Sequence, residues 1–250
     1  MIRLKNRTQL EGIRRSCRLL AEVFDLLEPL VVPGISTKEL DEAAEKAIRD
    51  GGGEPAFLGY MGYPASICAS VNEVVIHGIP NGTKLKEGDI ISIDMGINLS
   101  GYYSDRALTL PVGRIDQKKQ KLMDITRECL DIAISKAVAG NRIKDISRAV
   151  FEHADSAGYG VVRDFCGHGT GIELHEEPQV PNYVGRGPNP RLKPGMVIAL
   201  EPMINQGTHE VVILDDDWTV VTADRKPSAH FEHTVAILED GTEILTRPRT

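Results

Sequence analysis

The spacing of apolar residues along this chain alternates between the helical and the extended period, and it runs through the same order twice. Leu10, Ile13, Cys17, Leu20, Phe24 and Leu27 recur at helical spacing and predict an amphipathic helix. Thr8 with Glu11 has the spacing of a capping box at its start, and Pro29 with Pro33-Gly34 ends it. Ser36 with Glu39 repeats the capping signal for a second helix to about Arg49, stopped by Gly51-Gly52-Gly53. Residues 54–84 are mixed, strand-like from Ser66 to Val71, with a turn at Pro80-Asn81-Gly82. The apolar runs Ile90 to Ile93 and Ala107 to Leu110 then flank a turn-forming cluster, Asn98-Leu99-Ser100-Gly101, and predict a β-hairpin. Beyond Pro111-Val112-Gly113 come Leu122, Ile125, Cys129, Ile132 and Ala133, then Ile146, Val150, Phe151 and Ala154 as far as Gly158. Helix, helix, strands is the order again. Residues 166–190, rich in Gly and Pro, predict irregular structure suited to an active-site wall. A second hairpin starts at Leu192 and carries an insert near Val211 to Val221 with the only tryptophan, Trp218.

Residues recur as well as rhythm. Leu192-Lys193-Pro194-Gly195-Met196-Val197-Ile198-Ala199-Leu200-Glu201 repeats Leu85-Lys86-Glu87-Gly88-Asp89-Ile90-Ile91-Ser92-Ile93-Asp94 at an offset of 107, and Glu201 falls on Asp94. Glu232-His233-Thr234-Val235-Ala236-Ile237 follows the pattern of Asp105-Arg106-Ala107-Leu108-Thr109-Leu110 at an offset of 127. Val31-Val32-Pro33-Gly34 matches Ala137-Val138-Ala139-Gly140, and His77-Gly78-Ile79-Pro80 matches His175-Glu176-Glu177-Pro178. Matches in one order at a nearly constant offset predict a duplicated chain. The expectation is a single α+β domain spanning 1–250, with halves of roughly 1–113 and 114–250 related by a pseudo-twofold axis. Two helix pairs would pack outside a curved, largely antiparallel sheet.

Composition narrows the function. A chain of 250 residues buries about 70 to 75% of its unfolded surface, ample for a core. With 41% hydrophobic and 26% charged residues it is ordinary for a globular protein. A net charge of -7 argues against a nucleic-acid surface, and Lys118, Lys119 and Lys121 read as the solvated start of a helix. No apolar run approaches the roughly 20 residues of a membrane span, and the N-terminus lacks a signal peptide's apolar stretch. Cys17, Cys68, Cys129 and Cys166 form no CxxC pair, so free thiols in the reducing cytoplasm are expected.

The candidate chemistry lies in the acids. With the first turn centred between Leu99 and Ser100, Asp94 stands directly opposite Asp105, where Cβ atoms are about 5 Å apart and like charges need a shared proton or a cation. Either acid alone is ordinarily a turn residue or a solvated strand end. Their recurrence as Glu201 and Glu232 shifts the weight to four carboxylates on one cleft, whose charge asks for more than one divalent ion. Carboxylates plus an imidazole suit Mn, Fe, Co or Zn better than Ca or Mg. His168, in Cys166-Gly167-His168-Gly169-Thr170-Gly171, is the imidazole, with glycines that would let the backbone crowd a ligand. Two ions about 3.5 to 4 Å apart would hold and acidify a bridging water, the logic of a two-metal hydrolase. His77 and His175, one from each repeat, are assigned to the cleft. His153, His209, His230 and His233 are read as hydrogen-bonded structural residues, and Cys166 as structural because soft sulfur is out of place among carboxylates.

These residues carry a resemblance. Asn72-Glu73-Val74-Val75-Ile76-His77-Gly78-Ile79-Pro80, Gly167-His168-Gly169 with His175-Glu176-Glu177-Pro178, Lys193-Pro194-Gly195-Met196 leading to Glu201-Pro202-Met203, and Phe231-Glu232-His233-Thr234 are similar to type I methionyl aminopeptidases of peptidase family M24. The likeness extends from the first helix to Ile244-Leu245-Thr246. It implies the pita-bread fold and a dinuclear site of Asp94, Asp105, His168, Glu201 and Glu232, in which Asp105 and Glu232 bridge. Glu201 would take the proton of the attacking water, His175 would stabilise the carbonyl oxygen, and His77 would contact the scissile amide nitrogen or the neighbouring peptide. Phe57, Tyr60, Tyr63, Cys68, Leu174 and Trp218 fall where the family lines its methionine pocket. The resemblance implies removal of the initiator methionine from nascent chains with a free α-amine and a small second residue. A monomer in transient contact with the ribosome is the expected state.

The chain departs from the family at several positions. Leu174 stands where Phe is usual, Phe57 where some members have Cys, Met61 where some have His, and Arg106 where a small residue follows the aspartate. A zinc-binding N-terminal extension and the large insert of type II are lacking, which implies a compact bacterial or organellar form. Two other readings compete: a proline-directed peptidase of the same fold, whose members generally carry an extra N-terminal domain, and a non-catalytic binding module, against which the complete ligand set counts.

Overall fold

The computed structural model describes residues 1–247 and contains the four expected helices, α1 (Arg7–Leu27), α2 (Thr37–Asp50), α3 (Gln117–Lys136) and α4 (Ile143–Ser156). The capping box of α1 lies two residues earlier than Thr8 and Glu11 suggest. The Asn6 side chain accepts the Gln9 N–H at 2.9 Å, and the Gln9 side chain accepts the Asn6 N–H at 3.0 Å. Asparagine caps at least as well as threonine, and glutamine closes the reciprocal bond as glutamate would. α2 starts on the expected pair, with the Ser36 N–H donating to Glu39 at 2.7 Å.

Each helix buries its apolar stripe against strands. Leu20, Phe24 and Leu27 of α1 join Leu40, Ala44 and Ile48 of α2 over Ile91, Ile93, Met95 and Ile97. Leu122, Cys129 and Leu130 of α3 join Ile146 and Val150 of α4 over Ile198, Leu200, Val235 and Ile237. Each large aliphatic side chain so buried contributes about 1.5 to 3 kcal/mol relative to exposure. Two helix pairs thus lie outside the strands, as predicted. Among the described residues no helix is long and apolar enough to cross a membrane.

The strands form four sheets with antiparallel pairing throughout. Ile90–Leu99 pairs with Tyr102–Pro111 as the first hairpin, and Val197–Leu200 pairs with His233–Ile237. The insert is a short hairpin, Val211–Ile213 with Val220–Thr222, that pairs with Val74–Ile76 and brings Trp218 alongside His77. Repeated residues adopt repeated backbone. Gly34 and Gly140, at φ 97° and 95°, donate to the carbonyls of Leu85 and Leu192 at 2.8 and 3.0 Å. Leu85 and Leu192 in turn donate to Ile35 and Asn141, at 2.8 and 2.7 Å.

The register of the first hairpin differs from the expected one. Its turn residues are Ser100 and Gly101, at φ 54° and 82°, and Leu99 faces Tyr102. Two consecutive positive φ values are the requirement of a type I′ turn, and Gly101 meets it without a Cβ penalty. Asp94 therefore pairs with Ala107, and Asp105 with Gly96. The displacement is two positions along the partner strand, an even number, so both carboxylates keep the same face and stand diagonally.

The second strand pair is tied to the first through side chains. The Thr234 hydroxyl donates to the Asp105 carbonyl at 2.7 Å and accepts its N–H at 3.1 Å, while the Glu232 N–H donates to the Ala107 carbonyl at 2.9 Å. These bonds set Asp105 beside Glu232. Thr234→Val leaves both Asp105 backbone groups without the buried hydroxyl, and the expected loss is about 1 to 3 kcal/mol of stability in urea denaturation.

Candidate active site

Asp94 and Asp105 project from the first hairpin, His168 from the strand Gly167–Gly169, and Glu201 and Glu232 from positions adjoining the second strand pair. Asp105, His168 and Glu232 bring ligand atoms within 4.8 Å of one another. His168 Nε2 lies 3.4 Å from Glu201 Oε1 and 3.7 Å from Asp105 Oδ2. All five line one cleft of about 710 Å³, together with His77, His175, Phe57, Tyr60, Tyr63, Cys68, Leu174 and Trp218. The structure therefore brings together every residue assigned from the sequence.

The electrostatics of the cluster require a cation or protons. Asp105 and Glu232 are 3% and 2% exposed, and Asp94 Oδ1, Asp105 Oδ1 and Glu232 Oε1 are buried with no hydrogen-bond partner. Among the described residues no lysine or arginine forms an ion pair with the four acids. Arg106, next in sequence to Asp105, points to the other face of the strand, its guanidinium 4.4 Å over the Phe24 ring. Burial pushes the Asp94 carboxyl up to about 7. Burial and then the Asp94 charge push Glu201 up to about 8; burial and the Asp94 and Glu201 charges raise Asp105 well above the usual carboxylate range, and burial and the Asp105, Glu201 and Asp94 charges do the same to Glu232. The His168 Nδ1 faces the Gly169 carbonyl at 2.9 Å, which places its proton there and leaves the Nε2 lone pair toward the carboxylates. Burial lowers His168 to about 3, so the ring is neutral. Lone pairs converging on one point, with oxygen and imidazole donors and no fixed positive charge, fit a divalent metal ion.

The glycines beside His168 serve a different purpose from the one expected. A Cβ at Gly167 would collide with the Ala199 carbonyl, and one at Gly169 with the Glu177 carbonyl. Their bareness lets neighbouring strands close on the His168 strand, rather than admitting a ligand.

Next to the acids lies an apolar pocket. Phe57, Tyr63, Ala65, Cys68 and Leu174 form one buried cluster, with Trp218 edge-on to Tyr63 at 5.0 Å between ring centroids. Leu174 and Phe57, both departures from the family pattern, are part of its wall. Met61 is 82% exposed. Tyr60 stands at the rim, its hydroxyl 2.9 Å from His175 Nδ1, and so orients the histidine as well as bounding the pocket. The His175 ring lies 4.2 Å from that of His168. His77, at φ 58°, is held edge-on between Phe165 at 5.6 Å and Trp218 at 6.0 Å, and burial lowers it to about 4.

Of the histidines set aside, His153 bonds Glu128 and His233 bonds Thr246, at 2.8 and 2.9 Å, as structural residues do. His230 does not fit that reading. It is 2% exposed, neither ring nitrogen has a partner, and Nε2 lies 4.0 Å from Glu201 Oε2. The period of two along an extended segment, which puts positions 230 and 232 on one face, was the available signal.

Residues 11–239 match the model of metallopeptidase family M24. A methionine aminopeptidase of Treponema pallidum is 50% identical over 249 residues, which cover 99% of this chain and 97% of that protein. The crystal structure of methionine aminopeptidase from Rickettsia prowazekii superposes with a TM-score of 0.96 at 38% identity, covering 99% of this chain and 100% of the other. That from Thermotoga maritima also superposes at 0.96, with 41% identity over 99% of this chain and 100% of the other. The pita-bread fold expected from the sequence is the one observed.

The raised carboxylates give stability a pH dependence. In chelator-stripped protein the raised carboxylates hold protons that the unfolded chain has lost, whereas the histidines lowered by burial lack protons that the unfolded chain keeps below about pH 6.5; the two oppose each other in acid, and stability falls as pH rises from about 6.5 to the about 8 of Glu201. Thermal denaturation of stripped protein from pH 6.5 to 8 should show a declining midpoint. Added manganese should restore it, most strongly at the upper end, where fewest protons must be displaced.

Proposed function

The chain belongs to metallopeptidase family M24, and we propose that it removes the N-terminal methionine from polypeptides with a free α-amine and a small second residue. The observation that carries this reading is the junction of two environments: an uncompensated cluster of buried carboxylates abuts a closed pocket of aromatic, aliphatic and sulfur groups. The pocket suits a thioether, at about 0.3 to 1.5 kcal/mol per sulfur-aromatic contact.

Asp94, Asp105, His168, Glu201 and Glu232 would hold the metal, and the charge of four carboxylates supports two ions, drawn from Mn, Fe, Co or Zn. Bound there, the ions would supply Lewis acidity and a water of lowered pKa. Asp105 and Glu232, set side by side by the Thr234 and Ala107 bonds, would together hold the metal between them and the other acids. Glu201, a carboxylate lining the cleft beside His168, would accept the proton of the attacking water as general base. Were the Tyr60 hydroxyl to donate to Nδ1, His175 would carry its proton on Nε2 and offer it to the carbonyl oxygen as charge develops there. Neutral His77, clamped between Phe165 and Trp218, would contact the scissile amide nitrogen or the adjoining peptide. The substrate amine must enter among the acids, and an acylated amine has neither the charge nor the lone pair to replace what they lack.

Four free cysteines support a reducing, cytoplasmic setting in which nascent chains are the substrates. The protein is read as a monomer that meets those chains in transient contact with the ribosome.

Loaded with manganese or cobalt, the purified protein should hydrolyse Met-Ala and Met-Gly peptides and leave N-formylated ones intact. Glu201→Ala should lower kcat by about a hundredfold or more, the range of a lost general base. Faster release from Xaa-Pro than from Met-Ala peptides would transfer the assignment to a proline-directed peptidase. Bound metal without turnover on any free-amine peptide would make the chain a binding module.

A further inference from the structure

Outside the acid cluster, one fully buried ion pair stands close to the cleft. Lys5 Nζ lies 2.8 Å from Glu176 Oε2, with the two side chains 1% and 3% exposed. The other oxygen, Glu176 Oε1, accepts the backbone N–H groups of Ile172 at 2.8 Å and Glu173 at 3.1 Å. One carboxylate therefore closes the loop that runs from Ile172 to its own residue, and Leu174 and His175 lie inside that loop. The start of the loop rests on the same lysine: a Cβ at Gly171, where φ is 118°, would meet the Lys5 Cε and the Ile13 side chain. Gly171 is anchored from the other side, its carbonyl accepting the Tyr103 N–H at 2.9 Å. The Lys5 backbone is itself tied down, its N–H donating to the Gly195 carbonyl at 2.7 Å.

We propose that Lys5 and Glu176 are positioning residues for the reaction: the ion pair locks the 172–176 loop so that His175 faces the acids and Leu174 closes the methionine pocket. The inference rests on the function proposed above, in which His175 contacts the substrate carbonyl. Packing alone holds the loop weakly, because Glu173 and His175 are exposed and only Leu174 reaches a buried cluster. A buried ion pair is also a poor means of adding stability, since apolar residues of similar volume commonly do as well or better. What it does supply is direction. Charge-assisted bonds from a fixed ammonium and two backbone amides leave the carboxylate one orientation. The surface contact of Arg3 with Glu173, 2.7 Å but half exposed, adds little to this.

The test compares Lys5→Met, His175→Ala and the double variant, each manganese-loaded, on a Met-Ala peptide. Lys5→Met is expected to lower kcat by about ten- to a hundredfold, the cost of a reacting group displaced by about an ångström. Manganese affinity measured by calorimetry should stay within about threefold. In the His175→Ala background Lys5→Met should cause no further loss of kcat. Amide exchange at Ile172 and Glu173 should quicken while α1 keeps its protection. A kcat within twofold of the parent, or a loss that multiplies in full with that of His175→Ala, overturns the proposal. If Lys5→Met does not fold, Glu176→Gln, which removes the charge and keeps the shape, is judged by the same outcomes. Failure of the parent on every methionyl peptide, or a His175→Ala variant of parental kcat, refutes the functional reading instead. The amide-exchange comparison then still decides whether the pair locks the loop.

Discussion

Mutual repulsion among buried carboxylates is the constraint on which the rest of this structure depends. Asp94, Asp105, Glu201 and Glu232 are withdrawn from water, and among the described residues no lysine or arginine pairs with them in return. A fold that places them there forfeits stability unless protons or metal ions neutralise them, so the scaffold has to be rigid where it holds them. The rigidity comes from backbone bonding. Two antiparallel strand pairs carry the acids at or beside their paired residues; Thr234 stitches one pair to the other through its buried hydroxyl, and Thr109 ties the first pair to the His230 carbonyl.

The two helix pairs make this arrangement affordable to the chain. Each covers the apolar face of its own strand pair, so the opposite faces are left to converge on the cleft. The alternation of side chains along an extended strand does the sorting: Ile93, Met95 and Ile97 go under α1 and α2, while Asp94 goes to the acids. Arg106 and Asp105 part company by the same rule. The guanidinium stacks on Phe24 instead of neutralising its neighbour, and with Nε and Nη1 left unpartnered it adds no charge to the site.

The walls of the cleft come from loops. The 57–68 segment, the 171–176 loop and the insert carrying Trp218 supply the pocket and the histidines that face it. The first two are held by single bonds, such as Tyr60 to His175 and Glu176 to the Ile172 and Glu173 amides, whereas the insert pairs as a hairpin with Val74–Ile76. A rigid charged centre with walls carried on loops lets the pocket lining differ without moving the acids.

By itself the sequence determined the helices and the identity of the converging acids, because these are written in local periodicity and in residues that recur along the chain. Where patterns compete at short range it misled: Asn6 displaced Thr8 as the cap, and Ser100-Gly101 took the turn one position later than its neighbours suggested, since only backbone angles decide between such candidates. Tertiary structure alone decided what long-range packing controls. It put His230 against Glu201, closed bare backbone on Gly167 and Gly169, and joined Lys5 to Glu176 across most of the chain. The last two leave no trace in local spacing, because each is made between segments whose separation along the chain says nothing of their distance in space.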